Sequence, residues 1–206
     1  MEYVVCAVLG YLLGTISPAA FFSKIKHVNL REQGSGNVGG SNTFLVIGKS
    51  YGIFVMLFDI TKAVAASWLA RFLFPELALA GLLTGLASII GHIFPFYMHF
   101  KGGKGLATFG GMILAVDWKI FCGLLVVAGS LILITSRSVA APVSASVLFP
   151  ALLWLRTGSR ADLAVALAAS VLILIAHREN IKMAFIRADM PVRAYIKSKI
   201  ISENRQ

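Results

Sequence analysis

An all-α fold spanning a membrane with about seven helices is what this sequence predicts, and three observations carry that prediction. Of 206 residues, 58% are hydrophobic and only 14% charged, too little charge to cover a soluble domain of this length; the mean hydropathy is +0.82. The apolar residues also fall into runs close to the ~20 that a helix needs to cross hydrocarbon. Finally, Lys and Arg gather in alternate loops between those runs. The length suits a single domain over 1–206, with a basic tail from about 178.

The first run, Tyr3–Phe22, has no Lys or Arg before it and so lacks the positive start of a secretory leader; it reads as a retained helix. A polar, glycine-rich loop follows, then runs at Tyr51–Phe74 and Glu76–Met98. Leu106–Val116 is short, a half-span whose start is built into the preceding loop. Trp118–Thr135, Val139–Leu155 and Ala161–Ala176 complete the set. With the N-terminus outside, the inner side holds Lys24, Lys26, Arg31, Lys101, Lys104 and Arg137. It also holds the tail residues Arg178, Lys182, Arg187, Arg193, Lys197, Lys199 and Arg205. The outer side holds only Arg71, Lys119, Arg156 and Arg160, so the excess of cations predicts a cytoplasmic tail. Gly10 with Gly14, and Gly81 with Gly85, have the spacing that lets helices pack closely. No internal repeat is evident, which weighs against transporter folds built from two related halves.

The formal charge of +10 does not point to nucleic acid, because the hydrophobic runs leave no long basic face to track a backbone. It fits cytoplasmic loops facing anionic lipid. Cys6 and Cys122 both lie inside apolar runs, where packing explains them.

Two loops carry the chemical interest. Gly34-Ser35-Gly36-Asn37-Val38-Gly39-Gly40-Ser41-Asn42 combines glycines, free to adopt positive φ, with small polar donors. Consecutive amides in such a turn suit an anion, although a flexible linker has the same composition. The second stretch runs from Gly91-His92-Ile93-Phe94-Pro95 to Phe100-Lys101-Gly102-Gly103-Lys104-Gly105, without the Walker spacing. There Lys104 stands between glycines just before a helix whose N-terminus adds a positive dipole end. Both loops fall on the same predicted side, which strengthens the phosphate reading of each. Beyond them, His177 and Asn180, three apart at the end of the last run, share a helical face. Asp59 and Lys62, three apart inside the second run, are expected to pair, since an unpaired charge there is costly. The nine acids form no divalent-metal cluster, and neither zinc spacing nor a G-x-S-x-G elbow is present.

These segments resemble the bacterial acyl-phosphate:glycerol-3-phosphate acyltransferase family of the PlsY type. The resemblance lies in Asn29-Leu30-Arg31-Glu32-Gln33-Gly34-Ser35-Gly36-Asn37, Asn42-Thr43-Phe44, Gly48-Lys49, the Gly91–Pro95 and Phe100–Gly105 segments, and His177-Arg178-Glu179-Asn180-Ile181. It runs through essentially the whole chain in order. It implies a seven-helix fold in the bacterial inner membrane, N-terminus outside, with the active site on the cytoplasmic face. It also implies transfer of a fatty acyl group from acyl phosphate to glycerol 3-phosphate, giving lysophosphatidic acid, with no cofactor or metal. On that basis Ser35, Gly36, Asn37, Gly39, Asn42, Gly102 and Gly103 are expected around substrate phosphate. Lys104, His177 and Asn180 are expected to orient glycerol phosphate for attack, with either His177 or a substrate phosphate taking the hydroxyl proton. The sequence departs from the family where Leu45 stands in place of Arg, Ala140 in place of Ser, and Ala188-Asp189 in place of Thr-Glu. A catalytically silent relative, or a transporter of a phosphorylated solute, fits parts of the same pattern. Oligomeric state is left open.

Overall fold

Every one of the seven apolar runs is helical in the computed structural model, which describes residues 1–185. The tail cations Arg187, Arg193, Lys197, Lys199 and Arg205, and the departure at Ala188-Asp189, lie outside the described residues. In chain order the α-helices are α1 (Glu2–Thr15), α2 (Pro18–Ile25), α3 (Gly40–Val46), α4 (Lys49–Leu73) and α5 (Ala80–Ile93). They continue with α6 (Leu106–Val116), α7 (Trp118–Thr135), α8 (Ala140–Thr157), α9 (Arg160–Ala176) and α10 (Arg178–Phe185). A short 3₁₀ turn covers Phe96–Met98, and no strand occurs among the described residues.

Two departures from the expected elements have local causes. The first run is broken at Ile16–Ser17, because Pro18 has no N–H to give and holds the residue before it extended, with Ser17 at φ −125° and ψ 97°. Ser17 then caps α2, its Oγ accepting from Ala20 N at 3.3 Å. The second departure is α3, which turns part of the first polar loop into a short helix and buries Asn42 and Thr43. By length and composition, five stretches can cross a membrane: Glu2–Ile25, Lys49–Leu73, Ala80–Met98, Trp118–Thr135 and Ala140–Thr157. Joining α9 to α10, which bend by 60°, adds a sixth. The expected seven exceeds this because α6, with 11 residues, is too short to count, and α9, with 17, counts only when joined to α10.

The glycine seam expected in α1 is real and meets α5. A Cβ on Gly10 would lie 2.2 Å from Thr84 O, one on Gly14 2.1 Å from Ser88 O, and one on Gly91 2.1 Å from Tyr11 O. The two backbones therefore touch directly, the close approach that lets van der Waals packing hold helices together in lipid. Gly111 of α6 approaches α4 in the same way, its Cβ position 2.2 Å from Ile60 O. Phe109 of α6 and Phe149 of α8 meet edge to face with centroids 5.6 Å apart, inside a core that also takes Ile89 and Ile173. Short as it is, α6 is thus enclosed by other helices, while Phe72 and Leu155 stay about 80% exposed and suit lipid contact.

The charges sort to opposite ends of this bundle. At one end Arg156 Nε pairs with Asp117 Oδ2, and Arg71 Nη1 donates to Ala115 O at 3.1 Å. At the other, Arg31 Nη2 donates to Lys101 O, and Arg137 Nη1 to Ala184 O. These are the two groups that the loop charges separate in the sequence.

Candidate active site

The first glycine loop is shaped from beneath by Asn42. Its side chain is 1% exposed and every polar position on it is engaged. Nδ2 donates to Leu30 O at 2.9 Å and to Gln33 O at 3.0 Å, while Oδ1 accepts from Ser35 N at 2.8 Å. Gly34 is required here twice over: its φ is +60°, and a Cβ would fall 2.2 Å from Asn42 Oδ1. Gly36, at φ +69°, closes a turn in which its N–H donates to Gln33 O at 3.1 Å. Ser35 and Gly36 remain exposed and Asn37 half-buried, with the Asn37 amide folded over Gly39. Asn42 thus serves the loop as a clasp, its amide groups turned inward rather than to the open side.

The second loop is pressed onto the end of α5. Gly102 N–H donates to Ile93 O at 2.8 Å and Gly103 N–H to His92 O at 3.2 Å, closing off the C-terminal carbonyls of that helix. These two amides are therefore already occupied, and their glycines are there for closeness. A Cβ on Gly102 would lie 2.0 Å from His92 O, and one on Gly103 2.3 Å from His92 Nε2 and 2.9 Å from Val38 O. Since Val38 belongs to the first loop, the two loops meet at Gly103.

Lys104 follows at once and is half-buried, with α6 starting just after Gly105. Its Nζ donates to Asn180 Oδ1 of α10, a contact between residues 76 apart in the chain. Burial pushes the Lys104 ammonium below the usual lysine range, and the nearby Glu179 carboxylate pulls it part of the way back. His177, at the bend between α9 and α10, is 7% exposed; its Nδ1 faces Ile173 O at 2.9 Å. A carbonyl can only accept, so Nδ1 carries the proton in the neutral ring and Nε2 is left as an acceptor. The charge of Lys104 acts on this ring, which places the two side chains in one neighbourhood. Lys104 and Asn180 are thus in contact, with His177 in the same neighbourhood.

Beside the loops lies a cavity of about 450 Å³, reached by Lys24, Arg31, His99 and Lys101 over a floor that includes Leu30 and Val38. Sequence spacing did not single it out, because its cations come from three separate segments. Nor did spacing show that His92 joins the expected Asp59–Lys62 pair, for it lies 30 residues beyond Lys62. Of the departures, Leu45 sits half-buried on α3 and Ala140 opens α8, while Ser144 gives its hydroxyl proton to Ala141 O at 3.3 Å.

Fold and site together define an integral membrane protein of packed helices with basic side chains gathered around the two loops at one end. A family model described as glycerol-3-phosphate acyltransferase matches residues 4–186, and the chain belongs to that family. A glycerol-3-phosphate acyltransferase of Exiguobacterium sibiricum is 43% identical over 127 residues, an alignment that spans 61% of each chain. One of Enterococcus faecalis is 35% identical over 198 residues, 88% of each chain. The solved structure of PlsY (YgiH), an integral membrane glycerol 3-phosphate acyltransferase, superposes in its glycerol 3-phosphate form with a TM-score of 0.86 at 30% identity. That superposition covers 93% of this chain and 96% of that one. Its lysophosphatidic acid form superposes with a TM-score of 0.83 at 29% identity, covering 93% and 95%.

Proposed function

We propose that this protein transfers a fatty acyl group from acyl phosphate to a hydroxyl of glycerol 3-phosphate, releasing phosphate and forming lysophosphatidic acid. The site faces the cytoplasm of a bacterial inner membrane, which the chain crosses seven times from an outside N-terminus. The observation that carries this reading is the meeting of Lys104 with Asn180 beside His177, in a chain of the acyltransferase family.

Acyl phosphate is a mixed anhydride whose phosphate is its own leaving group, so the reaction asks mainly for positioning and charge stabilisation. Lys104 and Asn180 bind the phosphate of the acceptor, and the dipole end of α6 supports the same charge. His177 Nε2, unprotonated in the neutral ring, takes the proton of the attacking hydroxyl as the acyl–oxygen bond forms. Ser35, Gly36 and Asn37, on the open side of the first loop, receive the donor phosphate, and Gly39 makes room for the Asn37 side chain. Asn42, Gly102 and Gly103 act through shape, holding these groups in register. The acyl tail stays in the lipid that already surrounds the helices.

Purified protein in lipid, given palmitoyl phosphate with and without glycerol 3-phosphate, tests this. Phosphate release that depends on the acceptor, with lysophosphatidic acid formed, is expected. Absence of both beside an active relative would refute the proposal and point to the silent alternative raised by Leu45.

A further inference from the structure

Beneath the two loops lies a charged cluster that the proposed reaction does not use. Asp59 and Lys62, one turn apart on α4, are 2% and 6% exposed, and Lys62 Nζ sits 2.7 Å from Asp59 Oδ1. That ammonium has two further partners. It donates to Ile16 O at 2.8 Å, in the break between α1 and α2, and lies 3.0 Å from His92 Nδ1 near the end of α5. An ammonium carries donors and no acceptor, so His92 Nδ1 accepts from it, while Asp59 meets it as an ion pair. Asp59 Oδ1 stands 3.3 Å from the same ring nitrogen, which closes the triangle.

The opposite edge of the His92 ring meets the loops. The position a Cβ would take on Gly103 is 2.3 Å from His92 Nε2 and 2.9 Å from Val38 O, so ring, first loop and second loop converge at one backbone atom. The carbonyls of His92 and Ile93 also accept from Gly103 and Gly102. Lys104 is the next residue. A buried ion pair is a weak device for stability, since apolar replacements are often as stable, and its better-attested use is to specify one arrangement among several. Here it ties α4, the α1–α2 break and the end of α5 to the turn that carries Lys104.

We infer that Asp59, Lys62 and His92 form a positioning network that sets where the Gly102–Lys104 turn stands against the first glycine loop, and so where the Lys104 ammonium meets glycerol 3-phosphate. The substrate in this statement rests on the proposed reaction; the placement of the turn does not. All three are positioning residues, acting through Gly103.

Two variants test it: Lys62→Met, and Asp59→Asn combined with Lys62→Met. The second leaves no unpaired buried charge and so keeps a folded sample should the first fail to fold. Hydrogen exchange is measured on amides throughout the chain, beside kinetics with palmitoyl phosphate and glycerol 3-phosphate. The Gly102 and Gly103 amides are expected to exchange about tenfold faster while those of α7 and α8 keep their protection. The KM for glycerol 3-phosphate should rise about tenfold and that for palmitoyl phosphate less than about threefold. Unchanged exchange at the turn, a uniform rise along the chain, or equal changes in both KM values would overturn the inference. A wild-type protein that fails to turn over palmitoyl phosphate sinks the proposed reaction instead. The exchange measurement still decides whether the network holds the turn.

Discussion

Replacing Asn42 is the sharpest way to ask whether the first loop is a shaped cradle. Asn42→Ala removes three hydrogen bonds at once, to Leu30 O, Gln33 O and Ser35 N. Each is worth about 1 kcal/mol net, and more where the abandoned partner stays buried. Leu30 is buried whereas Gln33 and Ser35 are exposed, so water can replace part of the loss. A cost of about 2 kcal/mol follows, which for a domain of this size lowers the melting temperature by roughly 4–8 °C. Asn42→Asp should be worse, because it keeps the acceptor for Ser35 N but sets an oxygen against two carbonyls in a buried site. Thermal unfolding in detergent, read beside KM for both substrates, separates the alternatives. If both variants keep the wild-type melting temperature and only a KM rises, Asn42 is a ligand and the clasp argument is wrong.

The other expectations concern the cation and the helix seam. Lys104→Met should cost about a hundredfold or more in kcat/KM while the protein remains folded, and near-normal turnover would remove Lys104 from the mechanism. Burial holds the Lys104 ammonium below its ordinary range, so the charged, active form is present below that lowered value and lost as pH rises through it. Activity should therefore fall on the alkaline side earlier than an exposed lysine would cause. Glu179→Gln, which removes the carboxylate that supports the charge, should move that fall to lower pH still; a shift upward contradicts the assignment. For stability the sign is opposite: the unfolded chain holds this proton more tightly, so the cost of burying the charge is relieved as pH rises between the folded and unfolded values. Gly14→Ala would bring a Cβ to 2.1 Å from Ser88 O, backbone against backbone, and should destabilise the protein by about 1–3 kcal/mol in detergent melting.

Much of the site was legible as residue types without being legible as an arrangement. Lys104 stood out because glycines flank it before a helix, and His177 with Asn180 because three residues return to one helical face. Nothing in the sequence placed Asn180 against Lys104 across 76 positions. Gly102 and Gly103 were expected around substrate phosphate; their amides donate to the end of α5, and the glycines are needed because His92 leaves no room for a side chain. The break at Ile16–Ser17 was written in Pro18 but hidden by the apolar run that continues past it. The α3 helix was masked by its glycine and serine, which alone favour a loop.

The sequence by itself determined that this is a helical membrane protein, where its apolar runs lie, and which cations share an end. The reason is local: each backbone polar group in lipid must be satisfied within its own helix, so length, hydropathy and charge of a segment settle its state. Only the tertiary structure decided which helices touch, that Asn42 clasps the loop, and that Asp59, Lys62 and His92 meet under it. Those contacts join residues distant in the chain through shape and hydrogen-bond direction, and neither has a period that a linear reading can follow.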